Sequence, residues 1–135
     1  MKFPGIVVGN ALTLQKTVSE SHTTDNYFDT GVEKLCSTPS LVSMMMEASV
    51  ELIDPALPDG FVSVGKSACV THEQPTVLGA NLSLKVQITE FDGYHIHLKM
   101  TAYDESGLVG RGDHVRSIVN RRWLEMKVNK RLMSV

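Results

Sequence analysis

The sequence has few cysteines, no long hydrophobic run and almost no net charge, and each absence excludes a class of protein. Two cysteines, Cys36 and Cys69, cannot form the disulfide framework of a small secreted domain, and they favour a reducing compartment. No apolar stretch approaches the roughly 18 residues of a membrane span. The first residues hold only a short apolar run beside Pro4 and Gly5, which is not typical of a signal peptide. We therefore expect a soluble cytoplasmic protein with no membrane partner.

The charge balance and composition exclude a disordered chain and give no sign of a nucleic-acid partner. Thirteen Lys and Arg residues against fifteen Asp and Glu residues give a net charge of −2, which is too small to indicate a polyanionic partner. Apolar residues make up 42% of the chain and charged residues 21%, as in ordinary globular proteins. Residues 1–135 are therefore expected to form one domain.

A single apolar helix is predicted near the middle of the chain. Ser37, Thr38 and Pro39 together are typical of a helix start, with Thr38 as a candidate N-cap and Pro39 at the first helical position. The apolar run continues to Ile53 and covers most sides of the helix, which indicates burial in a core.

Alternating apolar and polar residues predict strands on both sides of this helix. One strand is expected over residues 11–18, before a polar segment over 19–36, and four strands are expected after Gly60. Asp92-Gly93 predicts a hairpin. In the first of the four strands one face would hold Val62, Val64, Ala68 and Val70.

The order of elements predicts an α+β fold in which a curved antiparallel sheet wraps one long buried helix. A short basic helix from Arg121 to Leu132 would close the chain, with Trp123 and Met126 facing inward. Because a single small sheet leaves its edges open, we expect pairing with a second copy, as a homodimer or a tetramer.

Three short motifs, in this order and spacing, resemble the hotdog fold. The first runs from Ser37-Thr38-Pro39 to Met46-Glu47-Ala48, the second from Ser63-Val64-Gly65 to Thr71-His72, and the third is Gly110-Arg111-Gly112-Asp113-His114-Val115-Arg116. The resemblance is to the thioesterase branch of that fold that includes fluoroacetyl-CoA thioesterase, and it covers roughly residues 10–120.

The resemblance implies an acyl-CoA thioesterase that hydrolyses a small acyl-CoA to the free acid and coenzyme A. It implies catalytic roles for Thr38, Glu47 and His72 and substrate binding by Gly65 and Arg116. Coenzyme A would be part of the substrate, and no cofactor or metal is expected. One departure is visible, because Thr38 and Glu47 are nine residues apart where the resemblance implies eight.

Each predicted catalytic residue also has a simpler structural interpretation. Glu47 lies on a narrow polar stripe with Ser40, Ser43 and Glu51, which could face water or carry a desolvated carboxylate that acts as a base. Thr38 could serve only as a helix cap, or could place a thioester carbonyl at the helix N-terminus. A histidine such as His72, with a pKa near neutrality, suits proton transfer but is often an ordinary strand residue.

Several other features favour ordinary structure over function. His95 and His97 share a strand face, but no third ligand accompanies them, so a solvated face is expected rather than a metal site. Met44-Met45-Met46 and Phe28 either line an adaptable acyl pocket or form plain core. The basic residues of the C-terminal segment are either solvated or attract the phosphates of coenzyme A.

Two rival functions stay open from the sequence. One is a hotdog hydratase or dehydratase, although the Asp-x-Asn-Pro-x-His motif of one such branch does not occur in the chain. The other is a non-catalytic protein that binds acyl-CoA or another small ligand in the same groove.

Overall fold

A computed structural model describes residues 2–23 and 34–134 of the chain. Phe28, considered above as a pocket residue, lies outside the described residues. Short 3-10 turns occur at Glu20–His22 and Asp54–Ala56. The main elements are β1 (Ala11–Thr17), α1 (Thr38–Ile53), β2 (Phe61–His72), β3 (Asn81–Phe91), β4 (His95–Asp104), β5 (Gly107–Asn120) and α2 (Arg121–Met133).

The five strands form one antiparallel sheet in the order β1-β3-β4-β5-β2, so that β1 and β2 are its edges. The predicted hairpin at Asp92-Gly93 is confirmed. Gly93 has a φ of 106°, which favours glycine, and the Asp92 carboxylate accepts hydrogen bonds from the backbone N–H groups of Tyr94 and His95.

The core lies between α1 and the inner face of the curved sheet, as the sequence predicts. From Leu82 to Ile88 of β3 and from Ile96 to Ala102 of β4 every second residue is buried, which gives the sheet one apolar face. Leu41, Met44, Met45, Ala48 and Ile53 are the buried apolar side chains of α1, so that Met44 and Met45 are core residues. They belong to the same core as Leu82, Leu84, Val86, Ile88, Ile96, Leu98, Met100 and Ala102.

A β-bulge at Lys66 overturns the predicted face of β2. The register against β5 shifts between Gly65 and Ser67, and the extra residue reverses which face the later side chains occupy. Val64 therefore lies on the outer face, while Val70 packs against the core. The prediction that Val62 and Val64 share a face with Ala68 and Val70 is wrong for this reason.

The start of α1 and the exposure of α2 also differ from the prediction. Ser37, not Thr38, is the N-cap of α1, since its hydroxyl accepts the backbone N–H of Ser40 and its backbone is extended. In α2, Met126 is 65% exposed and Trp123 52% exposed, so the prediction that both face inward is wrong. Among the described residues, no helix is long and apolar enough to span a membrane.

Candidate active site

The first turn of α1 and the end of β2 bring two predicted catalytic residues together. Thr38 Oγ1 lies 2.8 Å from Nδ1 of His72, within hydrogen-bond distance. Because Ser37 caps the helix, the hydroxyl of Thr38 is not used for capping and is available to the imidazole. In the register of the sheet His72 lies opposite Gly110, and a β-carbon there would lie only 2.9 Å from a Leu41 methyl. Glycine therefore allows β5 to pass close beneath the site.

The environment of His72 favours a neutral ring that can accept a proton. Burial lowers the pKa of His72 below its usual 6.5 and outweighs a contact with the Gln74 backbone that acts in the opposite direction. Its Nε2 atom is buried and has no hydrogen bond of good geometry among the described residues. A neutral imidazole with Nδ1 facing a hydroxyl is the arrangement in which that nitrogen can act as a base.

A small cavity opens beside this pair. Its volume is about 250 Å³, and its walls come from the segment before α1 and from the end of β2 with the loop that follows. Cys36 also lines the cavity, but burial raises the pKa of its thiol to about 11. The thiol therefore stays protonated at neutral pH, and it is a poor nucleophile compared with a thiolate. The lining residues are Leu35, Cys36, Thr38, His72, Glu73, Gln74 and Pro75.

Glu47 is not brought to this pair within one chain. Its carboxylate forms an ion pair with Lys16 of β1, at 2.9 Å, and the Glu47 side chain is 44% exposed. Nine residues of α1 correspond to a rise of about 13 Å between Thr38 and Glu47. One extra residue also rotates a side chain by about 100° around a helix, since an α-helix has about 3.6 residues per turn.

Met46, eight residues after Thr38, faces the inner side of β2 instead. A β-carbon built on Gly65 would lie 3.4 Å from the Met46 methyl and 3.5 Å from Nη1 of Arg116. The predicted substrate-binding residues Gly65 and Arg116 are therefore neighbours. They are paired directly across β2 and β5, on the face of the sheet that α1 covers.

Arg116 is a buried cation held by neutral groups. The residue is only 6% exposed. Nε donates to Ser63 Oγ at 2.8 Å, Nη2 donates to the Ser63 carbonyl at 3.0 Å, and Nη1 donates to Nε2 of His114 at 3.1 Å. Burial lowers the pKa of the guanidinium from its ordinary value, and the charge of Asp54 acts in the opposite direction. The sequence motifs contain Ser63 and His114, but sequence reasoning assigned neither a role, and nothing in the sequence marked Asp54.

No group of three or more His, Cys, Asp or Glu side chains in the described part of the chain is arranged to hold a metal ion. His95 instead contacts the Asp92 carboxylate at 2.9 Å, across the hairpin.

Comparison with known proteins identifies the family. The model of the fluoroacetyl-CoA-specific thioesterase family matches residues 18–122. The fluoroacetyl-CoA thioesterase of Streptantibioticus cattleyicolor is 26% identical over 95 residues, which cover 70% of this chain and 68% of that protein.

Solved structures agree with the predicted hotdog fold. A hot-dog-like protein from Thermanaerovibrio acidaminovorans matches with a TM-score of 0.88 at 34% identity, over 94% of this chain and 93% of that one. A fluoroacetyl-CoA thioesterase has the same fold, with a TM-score of 0.84 at 24% identity over 93% and 96% of the two chains. The chain therefore belongs to the fluoroacetyl-CoA-specific thioesterase family.

Proposed function

We propose that the protein hydrolyses a small acyl-CoA thioester to the free acid and coenzyme A, and that Thr38 and His72 carry the reaction. The observation that supports this most directly is the 2.8 Å contact between Thr38 Oγ1 and Nδ1 of His72. The contact lies beside a cavity, and the chain belongs to a thioesterase family.

In the first of two routes that suit this geometry, Thr38 is the nucleophile. His72 Nδ1 takes the hydroxyl proton while Thr38 Oγ1 bonds to the thioester carbonyl carbon. The C–S bond breaks, and the thiolate of coenzyme A takes the proton from the His72 ring. Water then attacks the acyl ester, again with His72 as base, which releases the acid and restores Thr38.

In the second route, Thr38 and His72 position a water molecule. His72 takes a proton from that water as its oxygen attacks the carbonyl carbon directly, and the leaving thiolate receives the proton. The two routes differ in whether an acyl group is ever bound to Thr38, and that difference can be measured.

The helix N-terminus provides few free donors for the thioester carbonyl. Pro39 has no N–H, and the N–H groups of Ser40 and Leu41 are bonded to the side chain and carbonyl of Ser37. The backbone N–H of Thr38 is the donor of this turn that these bonds do not use. We assign stabilisation of the developing oxyanion to that N–H together with the helix dipole.

A catalytic role for Glu47 requires a second copy of the chain, because Glu47 and the Thr38–His72 pair are far apart in one chain. We propose a homodimer in which the β2 edges of two chains pair and each site uses residues of both. Residues Gly65 to Cys69 of β2 are exposed, and no other strand of the described part of the chain pairs with the outer side of β2. Edge strands of this kind are templates for pairing.

The acyl group of the substrate would lie against Gly65 and Arg116. The absence of a side chain at Gly65 lets a ligand approach the inner face of β2 beside Nη1 of Arg116. N–H groups of the guanidinium that are not used by Ser63 or His114 can donate to an electronegative substituent. This favours short polar acyl groups, such as the fluoroacetyl group in the names of the relatives.

The test is release of free thiol from acetyl-CoA, fluoroacetyl-CoA and larger acyl-CoAs by the wild type and by Thr38→Ala and His72→Ala. Loss of a general base lowers kcat by about 10² to 10⁴-fold, and we expect that loss in His72→Ala. Thr13→Ala and His97→Ala, on other parts of the sheet, serve as matched controls. Binding of acyl-CoA without thiol release would instead support a binding protein, and addition of water to an enoyl-CoA would support a hydratase.

A further inference from the structure

The buried guanidinium of Arg116 has no carboxylate in direct contact among the described residues. Burial of a charge is costly unless hydrogen bonds and a nearby opposite charge compensate it. The structure compensates Arg116 through two neighbours, one on each side of the guanidinium, and both neighbours are themselves fixed by further bonds.

His114 is the first of these neighbours, and its hydrogen bonds define its tautomer. Nδ1 lies 2.7 Å from the carbonyl oxygen of Ser67, which can only accept, so Nδ1 carries the proton. Nε2 then accepts from Nη1 of Arg116, which can only donate. The imidazole is therefore neutral and cannot rotate without losing both bonds. Ser67 belongs to the bulge in β2, so the backbone of the bulge is linked to the guanidinium through His114.

Ser63 is the second neighbour and connects Arg116 to a carboxylate. Its hydroxyl accepts from Nε of Arg116 and donates to Oδ1 of Asp54, while the Ser63 backbone N–H points to Oδ2 of Asp54 at 3.4 Å. Asp54 follows directly after α1, so this bond links the end of the helix to the guanidinium. The charge of Asp54 acts on Arg116 across one hydroxyl group.

We propose that Asp54, Ser63 and His114 are positioning residues that hold the Arg116 guanidinium against Gly65 in the orientation required by the acyl group. This rests on the proposed function, in which Arg116 contacts the substrate. Arg116 has four rotatable side-chain bonds, and fixing them before the substrate arrives reduces the entropy cost of binding. The three residues would therefore act on KM and on selectivity between acyl groups, and only through Arg116.

A double-mutant cycle tests that dependence. Asp54→Asn keeps the shape of the side chain and removes its charge, and residues in one hydrogen-bond network couple measurably. We expect a loss of about 10-fold in kcat/KM for fluoroacetyl-CoA, mainly through KM. In the Arg116→Ala background the same substitution is expected to have no further effect. Asp59→Asn, at an exposed aspartate, is the matched control.

His114 allows a conservative rescue. His114→Gln can place an amide oxygen near the position of Nε2 and accept from Arg116, whereas His114→Leu cannot. We expect His114→Gln to keep kcat/KM within about 3-fold of the wild type and His114→Leu to lose about 10-fold. Thermal unfolding of every variant shows whether a loss of activity reflects an unfolded fraction.

A readout that does not depend on turnover is the ¹⁵N NMR signal of the Arg116 Nε–H group. In the wild type this buried, bonded group should exchange slowly with solvent, and Asp54→Asn and Ser63→Ala should shift the signal and speed its exchange. The proposal is overturned if Asp54→Asn leaves this signal unchanged, or if its kinetic loss simply adds to that of Arg116→Ala. If the wild type hydrolyses no thioester, the proposed function fails, and the NMR signal still decides whether this network fixes the guanidinium.

Discussion

The hydroxyl of Thr38 and Nδ1 of His72 lie 2.8 Å apart although 34 positions separate these residues in the chain. The first turn of α1 and the last residue of β2 meet at this point. The hydroxyl is available because Ser37, not Thr38, caps the helix. The cap and the hydroxyl that we propose as catalytic therefore belong to adjacent residues, and each can be removed separately.

Ser37→Ala should mainly lower the stability of the protein, whereas Thr38→Ala should mainly lower its activity. Loss of an N-cap costs about 1 kcal/mol, so Ser37→Ala should lower the free energy of unfolding by that amount and reduce kcat only slightly. Thr38→Ala should leave the free energy of unfolding within about 0.5 kcal/mol of the wild type and reduce thiol release strongly. Denaturant unfolding and steady-state assays of both variants measure the two effects. A loss of stability confined to Thr38→Ala would contradict the observed cap.

Rapid-quench mass spectrometry should detect an acyl group on Thr38 if that residue is the nucleophile. The mass of the intact chain should rise by one acyl group in the first turnover and fall back as the ester is hydrolysed. Thr38→Ala should show no adduct. An adduct that persists in that variant would place the nucleophile elsewhere, with Glu47 as the next candidate. Turnover with no adduct in any variant would support direct attack by water.

The activity should persist at mildly acidic pH. Burial lowers the pKa of His72 below 6.5, and the neutral ring is the form that accepts a proton, so the acid limb of kcat/KM should have its midpoint below 6.5. Because the folded state disfavours the protonated ring, His72 adds stability above pH 6.5 that is lost as the pH falls toward the lowered pKa. In His72→Ala both the acid limb of the residual activity and this part of the stability profile should disappear. His97→Ala, as the control, should change neither.

Subunit mixing tests whether a site uses residues of two chains. Glu47→Gln and Thr38→Ala proteins should each have low activity alone, and a heterodimer of the two should contain one intact site if Glu47 acts across the interface. We therefore expect partial recovery of thiol release after subunits exchange, and sedimentation should show a dimer at micromolar concentration. Full activity of Glu47→Gln alone would indicate that Glu47 serves only in its ion pair with Lys16. A monomer in sedimentation would exclude shared sites altogether.

The parts of the fold that depend on periodicity could be predicted from the sequence. Apolar and polar residues alternate in β3 and β4, and apolar residues cover most of α1. Both patterns are visible in the sequence, and the buried residues of the structure follow them. The bulge at Lys66 could not be predicted in this way. Polar residues at Lys66 and Ser67 fit an exposed edge strand equally well with or without an extra residue.

The site was predictable only in part, for a similar reason. The resemblance to a family singled out Thr38 and His72, and the structure brings them together. The direction of Glu47 depends on its angular position around α1, and one residue of spacing changes that angle. Asp54 compensates the buried charge of Arg116 through a contact between the end of α1 and β2. A contact between residues far apart in the chain cannot be predicted from a local sequence pattern.

The bulge in β2 decides on which side of the sheet the His72 side chain lies. Side chains of a strand alternate between its two faces. Because Lys66 is an extra residue that does not pair with β5, every residue from Ser67 to the end of β2 lies on the face opposite to the one it would occupy in a regular strand. In a regular strand with no bulge, where Lys66 paired with Val115, Ala68, Val70 and His72 would point away from α1, and the imidazole would lie on the opposite surface from Thr38. Deletion of Lys66 removes only the extra residue and keeps His72 opposite Gly110, so a straightened β2 should still hold the imidazole on the side of Thr38.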